Sequence, residues 1–234
     1  MNKTILITGA SRGLGLAFTE RYLNEGYIVF AGIRKINENI ERLKHSYQES
    51  LLPIIMDISD DHSVIHAAAE IKNYSGKLDI IINNAASRFP ETNNNLEDVS
   101  LEVAIQSYNI NTLGPLRVAK NFIPFVEKGQ NKMFVNISSE AGSIETCKRD
   151  NEFDYCMSKS ALNMQSVILQ NYVKPQGIKV LAIHPGWMHT DMGGEKAPLA
   201  PSQSAESISK LIKTYQGDVD GPVFLDYQGN VFPW

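Results

Sequence analysis

The chain has 234 residues, 43% of them apolar and 21% charged, enough to bury one sizeable core. Its formal charge of -4 lacks the positive field that nucleic-acid binding needs, and no apolar run reaches membrane-span length. Two cysteines, Cys147 and Cys156, make neither a disulfide framework nor a zinc site, so free thiols in a cytoplasmic, metal-free protein are expected.

Short β-branched runs alternate with segments of helical period. Thr4 to Thr8 reads as a strand, Gly13 to Asn24 as a helix and Tyr27 to Ile33 as the next strand. Apolar character resumes in Ile54, Ile55 and Met56, where a third strand fits with Pro53 at its start. Asp60 to Tyr74 is expected as a helix with Asp60 as its cap, followed by a strand over Leu78 to Asn83. After a loop from Arg88 to Asn95, helical period runs from Leu96 to Val126, as two helices meeting near Asn109 to Asn111. Lys132 to Ser138 is a fifth strand, Tyr155 to Val173 a helix closed by Pro175 and Gly177, and Ile178 to His184 a sixth strand. Ser202 to Thr214 completes the helices and Pro222 to Asp226 is an edge strand. Such alternation describes an α/β domain with a doubly wound parallel sheet of about seven strands and helices on both faces. No repeat or linker divides it, so residues 1–234 are expected as one domain.

Three features carry chemistry. Between the first strand and helix stands Thr8-Gly9-Ala10-Ser11-Arg12-Gly13-Leu14-Gly15, where exposed N–H groups and the helix dipole suit a pyrophosphate. Its spacing, Gly-x-x-x-Gly-x-Gly, departs from the general dinucleotide fingerprint while meeting the same mechanical need. At the end of the second strand, where an NAD site carries an acidic residue, Arg34 and Lys35 are basic, which favours NADP(H) over NAD(H); Arg12 offers a second cation for the 2′-phosphate. Finally, Tyr155 and Lys159 lie four apart on one helical face. A free phenol titrates near about 10, and an adjacent ammonium is expected to lower that value. The ends of the fourth, fifth and sixth strands, at Asn83, Ser138-Ser139 and His184-Pro185-Gly186, converge on the same edge as the glycine turn.

In order, Thr-Gly-x-x-x-Gly-x-Gly, Asn-Asn-Ala, Asn, Ser, Tyr-x-x-x-Lys and Pro-Gly resemble the short-chain dehydrogenase/reductase family over nearly the whole chain. The resemblance implies a Rossmann-type fold and a hydride transfer between nicotinamide and a carbonyl or alcohol. By motif it implies that Thr8, Gly9, Ser11, Arg12, Gly13, Leu14 and Gly15 form the cofactor turn. Arg34 matches the 2′-phosphate reader, Asp57 with Ile58 the adenine contact, and Asn83 with Ala85 the adenosine-side wall. Pro185, Gly186, Met188 and Thr190 match the nicotinamide-side loop.

The same resemblance makes Tyr155 the acid/base and Lys159 its partner, both also touching the cofactor. Ser139 matches the substrate-orienting serine, with Ser138 as alternative, and Asn111 the asparagine that seats a relay water, with Asn109 as alternative. It further implies a small-molecule substrate and a homodimer or homotetramer. The interval from Ser139 to Tyr155 exceeds the family's usual spacing. Ser143-Ile144, Ala161-Leu162-Asn163, His184 to Gly194 and Phe232-Pro233-Trp234 are similar to the C-factor and sniffer-like carbonyl reductase branch, which leaves a dinucleotide-binding signalling protein as the alternative function.

Other features are set aside. His62 and His66 have metal-ligand spacing without the glutamate of a hydrolytic zinc motif, and Cys156 is expected to pack rather than react; His184 and His189, which flank Pro-Gly, are left out of catalysis and stand open between a substrate contact and a structural hydrogen bond.

Overall fold

The computed structural model describes residues 3–90, 95–215, 218–221 and 223–234. Seven parallel strands form one sheet: β1 (Thr4–Thr8), β2 (Ile28–Ile33), β3 (Leu51–Ile55), β4 (Ile80–Asn83), β5 (Met133–Ile137), β6 (Lys179–His184) and β7 (Phe224–Asp226), in the order β3-β2-β1-β4-β5-β6-β7. The order reverses between β1 and β4, which opens a crevice at the carboxyl ends of the strands.

Seven α-helices cover both faces among the described residues: α1 (Gly13–Asn24), α2 (Glu38–Tyr47), α3 (Asp61–Tyr74), α4 (Leu101–Tyr108), α5 (Gly114–Val126), α6 (Phe153–Val173) and α7 (Pro201–Thr214). Strand side chains alternate between two cores. Ile5 and Ile7 pack with Phe18 of α1, Leu43 of α2 and Ile208 of α7, whereas Leu6 packs opposite, with Val64 of α3, Phe122 of α5 and Val173 of α6. Because both faces are covered, the inner strands are apolar but for residues at or near their ends such as Thr8, Asn83 and Asn136, and each fully buried aliphatic side chain stabilises the fold by roughly 1.5–3 kcal/mol. No described helix is long and apolar enough to cross a membrane.

The expected bounds of β1 and α1 match the structure, and Asp60 caps α3 by accepting from the His62 and Ser63 amides at 3.2 and 3.1 Å. Two differences have physical causes. Helix α2 was not expected; Asn37 caps it through the Ile40 amide, and Ile40 and Leu43, one helical turn apart, are its buried residues. Pro53 lies inside β3 rather than at its start, tolerated because β3 is an edge strand paired only with β2. Glu91 to Asn94 of the expected loop and Pro222, the expected first residue of the last strand, lie outside the described residues.

The long helical stretch divides where expected. A wide, π-type turn over Asn109–Leu113 joins α4 to α5, preceded by a short 3-10 turn at Leu96–Asp98.

Candidate active site

A cleft of about 1480 Å³ runs along the carboxyl edge of the sheet, from the end of β2 to the start of α6. At one end is the glycine turn. Helix α1 begins at Gly13 with no side-chain cap and no acidic residue in its first turn, so its amide groups suit an external anion. A Cβ on Gly15 would stand 2.1 Å from the Gly9 carbonyl oxygen, so only glycine lets helix and turn approach this closely. Thr8 braces the turn from beneath, its hydroxyl accepting from the Asn84 and Ala85 amides, both at 3.0 Å. Asn37 and Asn39 donate to the Ser11 carbonyl and tie the turn to α2.

Beyond the turn, Arg34 and Lys35 are exposed at the end of β2, and no described carboxylate forms an ion pair with either. Burial alone would raise the Asp57 carboxyl, but the Ser59 amide and hydroxyl, helped by Arg34 and Arg117, hold it below the usual range. Arg12 differs from expectation. Its guanidinium pairs with Asp191 at 2.8 Å, across the mouth of the cleft, with both side chains largely exposed.

At the other end stand Tyr155 and Lys159, one turn apart on α6. Lys159 is 2% exposed, its ammonium donating to the Ile137 carbonyl at 2.9 Å and lying 5.8 Å from the centre of the Tyr155 ring. Ser139 and Tyr155 both line the cleft, and the Ser139 hydroxyl, which accepts from the Ala141 amide at 3.1 Å, favours the ionised phenol. Ser138 is 2% exposed and donates to Asn163 at 2.6 Å, and of the two serines it is Ser139 that acts on the phenol's ionisation. A Cβ on Gly142 would come within 2.8 Å of the Lys159 backbone, so this glycine lets the turn after β5 lie directly on α6.

Burial reverses the expected lowering of the phenol by its lysine neighbour. Burial pushes Tyr155 up to about 12, only partly offset by the Ser139 hydroxyl and Arg88, and burial pulls Lys159 down to about 8. Desolvation penalises both charged forms, and at this separation it outweighs their attraction. The amine is therefore poised near neutrality while the phenol holds its proton.

Asn111 is buried beneath this pair. Its side chain accepts from the Ser87 amide and donates to the Ser87 carbonyl, both at 2.8 Å, and also donates to the Ser158 hydroxyl at 3.0 Å. Asn109 instead meets the Ser59 carbonyl and Arg117, away from Tyr155.

Of the expected cofactor residues, Gly9, Ser11, Arg12, Gly13, Leu14, Arg34, Asp57, Ile58, Ala85, Pro185, Gly186, Met188 and Thr190 line the cleft, as do Ser139, Tyr155 and Lys159. Thr8, Gly15 and Asn111 support it from behind. Asn83 is a correction. It is 3% exposed, paired in register with Asn136 and donating to that side chain at 2.8 Å, while Asn84 lines the cleft in its place. Asn37 and Glu140, which were not expected in the site, line the same cleft, as do Arg88, Arg149 and Glu152 from two loops, Arg88 to Asn95 and Glu145 to Asp154, expected to shape the substrate pocket. Only Asn37 carried a local signal, as a cap ahead of a helical repeat. His184 lines the cleft too, its Nδ1 accepting from the Glu140 amide at 3.1 Å.

A model of the short chain dehydrogenase family matches residues 3–199. The C-signal protein of Myxococcus xanthus is 33% identical over 68% of this chain and 95% of its own length. Among solved structures, the NADPH-bound carbonyl reductase from chicken fatty liver is 28% identical with a TM-score of 0.87, covering 100% of this chain and 99% of that one. The carbonyl reductase Sniffer of D. melanogaster is 27% identical with a TM-score of 0.90, and the match covers 100% of both chains. These similarities fall in the branch that the sequence pieces resemble.

Proposed function

Because the chain belongs to the short-chain dehydrogenase family, and is an oxidoreductase by that membership, we propose that it is an NADP(H)-dependent carbonyl reductase acting as one domain over residues 1–234. The observation that carries this is the placement of Tyr155, Ser139 and Lys159 at one end of a cleft whose other end presents an uncapped helix start and the exposed Arg34 and Lys35, with which no described carboxylate forms an ion pair. These residues fit a phosphorylated dinucleotide. The amides of Ser11 to Gly15 suit its pyrophosphate, Arg34 its 2′-phosphate, and Asp57 with Ile58 its adenine. Ala85, its amide held by the Thr8 hydroxyl, faces the adenosine side, and Pro185, Gly186, Met188 and Thr190 the nicotinamide side. NAD(H) lacks the group that Arg34 addresses, so it is the weaker partner. When bound, the nicotinamide supplies the hydride.

The chain's own residues supply the proton and the alignment. Ser139 orients the carbonyl oxygen, and Tyr155, protonated up to about pH 12, donates to it, completing the alcohol. Lys159, sitting near half-protonation at about pH 8, holds the cofactor ribose and restores the phenolic proton. Asn111, fixed to Ser87 and Ser158, seats the water that feeds this relay, through the carbonyl of its wide helical turn. The substrate is a small carbonyl compound. The site of action is the cytoplasm, and the exposed Leu101 and Ile105 of α4 and Met164 and Ile168 of α6 form a face for pairing into a homodimer or homotetramer.

The test is a panel of aldehydes, ketones and quinones offered with NADPH and with NADH. Turnover with a clear NADPH preference is the expected result. The similarity to C-signal favours a second reading, a dinucleotide-binding signalling protein; tight NADPH binding with no turnover across the whole panel would select it.

A further inference from the structure

The connections after β4 and β5 meet beside the phenol through four ionised side chains. Arg88, after β4, and Arg149, before α6, both pair with Glu152, the latter at 2.7 Å. Arg149 also grips Glu140, after β5, through two bonds of 2.6 and 2.7 Å. Glu140 in turn donates its amide to His184 at the end of β6.

Glu152 stands apart from its partners. It is 8% exposed, and its backbone is left-handed, with φ 61° and ψ 33°, at the residue that starts α6. A non-glycine residue held there costs roughly 1–3 kcal/mol and persists when its surroundings dictate the conformation. The carboxylate does not cap the helix. It reaches sideways to the two guanidinium groups instead, and Tyr155 follows three residues later.

We propose that Glu152 is a positioning residue for Tyr155: clamped by Arg88 and Arg149, it fixes the left-handed turn from which α6 departs and so aims the phenol at Ser139. This rests on the assignment of Tyr155 as proton donor. The charged groups facing the phenol are Lys159 from α6, Arg88 from the loop after β4, Glu140 from the loop after β5 and Glu152 itself, with Arg149 and His184 behind Glu140. Arg88 favours the ionised phenol, whereas Glu140 and Glu152 oppose it. Removing the Glu152 charge therefore moves the phenol's ionisation to lower pH, which a purely structural role would not do.

The experiment compares Glu152→Gln, Glu152→Gly and Tyr155→Phe with the parent enzyme, using the best aldehyde of the panel and its alcohol. Three quantities are measured: kcat, the NADPH dissociation constant by fluorescence, and the pH profile of alcohol oxidation. Both Glu152 variants are expected to bind NADPH like the parent, with kcat reduced roughly tenfold or more in Glu152→Gly, since small misplacements of a reacting group are that costly. In Glu152→Gln the rise of oxidation with pH shifts to lower pH. Parental kcat and an unmoved profile in Glu152→Gln, which keeps the side chain's shape and remains informative if Glu152→Gly does not fold, would overturn the proposal. Undiminished turnover in Tyr155→Phe would instead overturn the assignment of the proton donor, and the role of Glu152 with it.

Discussion

The two ends of the cleft are built by different means. Around the glycine turn the walls are backbone and short local contacts: Thr8 under Asn84 and Ala85, Asn37 against Ser11, and an uncapped helix start. Around Tyr155 they are side chains brought from distant segments, as Arg88 is to Glu152 and Asn111 to Ser158. A backbone cradle recognises phosphate through generic dipoles, so its specificity falls to a few exposed cations. A wall of buried, mutually bonded side chains sets proton affinities, because each charge is felt through little water. Substitutions at the two ends should therefore separate binding from chemistry.

The largest separation is expected from Tyr155→Phe. Turnover should fall roughly 100- to 10,000-fold, the range for losing a general acid, with NADPH affinity unchanged in a fluorescence titration. A loss of both together would erase the distinction between the ends.

Lys159 gives the next effect, with the sign set by its depressed ionisation. Below about pH 8 the folded protein must carry a buried ammonium that the unfolded chain carries without penalty, and this cost fades as pH rises toward the lysine's ordinary 10.5. Lys159→Met should thus raise stability at neutral pH by up to roughly 3 kcal/mol in a denaturant titration while reducing turnover. Its stability gain should shrink as the titration is repeated at increasing pH. In the parent enzyme, carbonyl reduction should decline above about pH 8 as the amine loses its proton, the phenol remaining protonated throughout.

At the nucleotide end, Arg34→Asp should move the kcat/KM ratio toward NADH by roughly tenfold or more, since it replaces an attractive charge with a repulsive one. An unchanged ratio would show that Arg34 reads no phosphate. The smallest effect belongs to Asp191→Ala. The exposed pair with Arg12 contributes about 0–1 kcal/mol, so the melting temperature should barely move, while the released guanidinium tightens NADPH binding by a few-fold at most.

The same contrast governs what could be read from the chain alone. The glycine turn, the start and stop of α1 and the Asp60 cap are local patterns, legible because a few neighbouring residues decide them. Helix α2 was equally local but hidden in a charged stretch where only Ile40 and Leu43 become buried. Tyr27 and Leu78 read as strand because they are buried and apolar, yet they precede the first paired residues of β2 and β4. The Arg88–Glu152–Arg149–Glu140 cluster left no periodic trace, since loops impose no spacing on residues that meet only after folding. The proton affinity of Tyr155 was misjudged, and that of Lys159 not foreseen, because spacing reveals proximity but not the depth of burial.

The wide turn at Asn109–Leu113 has one further consequence. Fitting an additional residue into a helical turn rotates everything before it relative to everything after, so α4 and α5 run out of phase. Helix α5 buries seven of its residues and α4 buries only Ser107, leaving Leu101 and Ile105 outward. Deleting a single residue from this turn would bring the two helices back into phase, swing those aliphatic groups by about 100° and pull Asn111 off Ser87 and Ser158. The outward display of α4 and the anchorage beneath Tyr155 are thus two results of one inserted position, and neither can be altered there without the other.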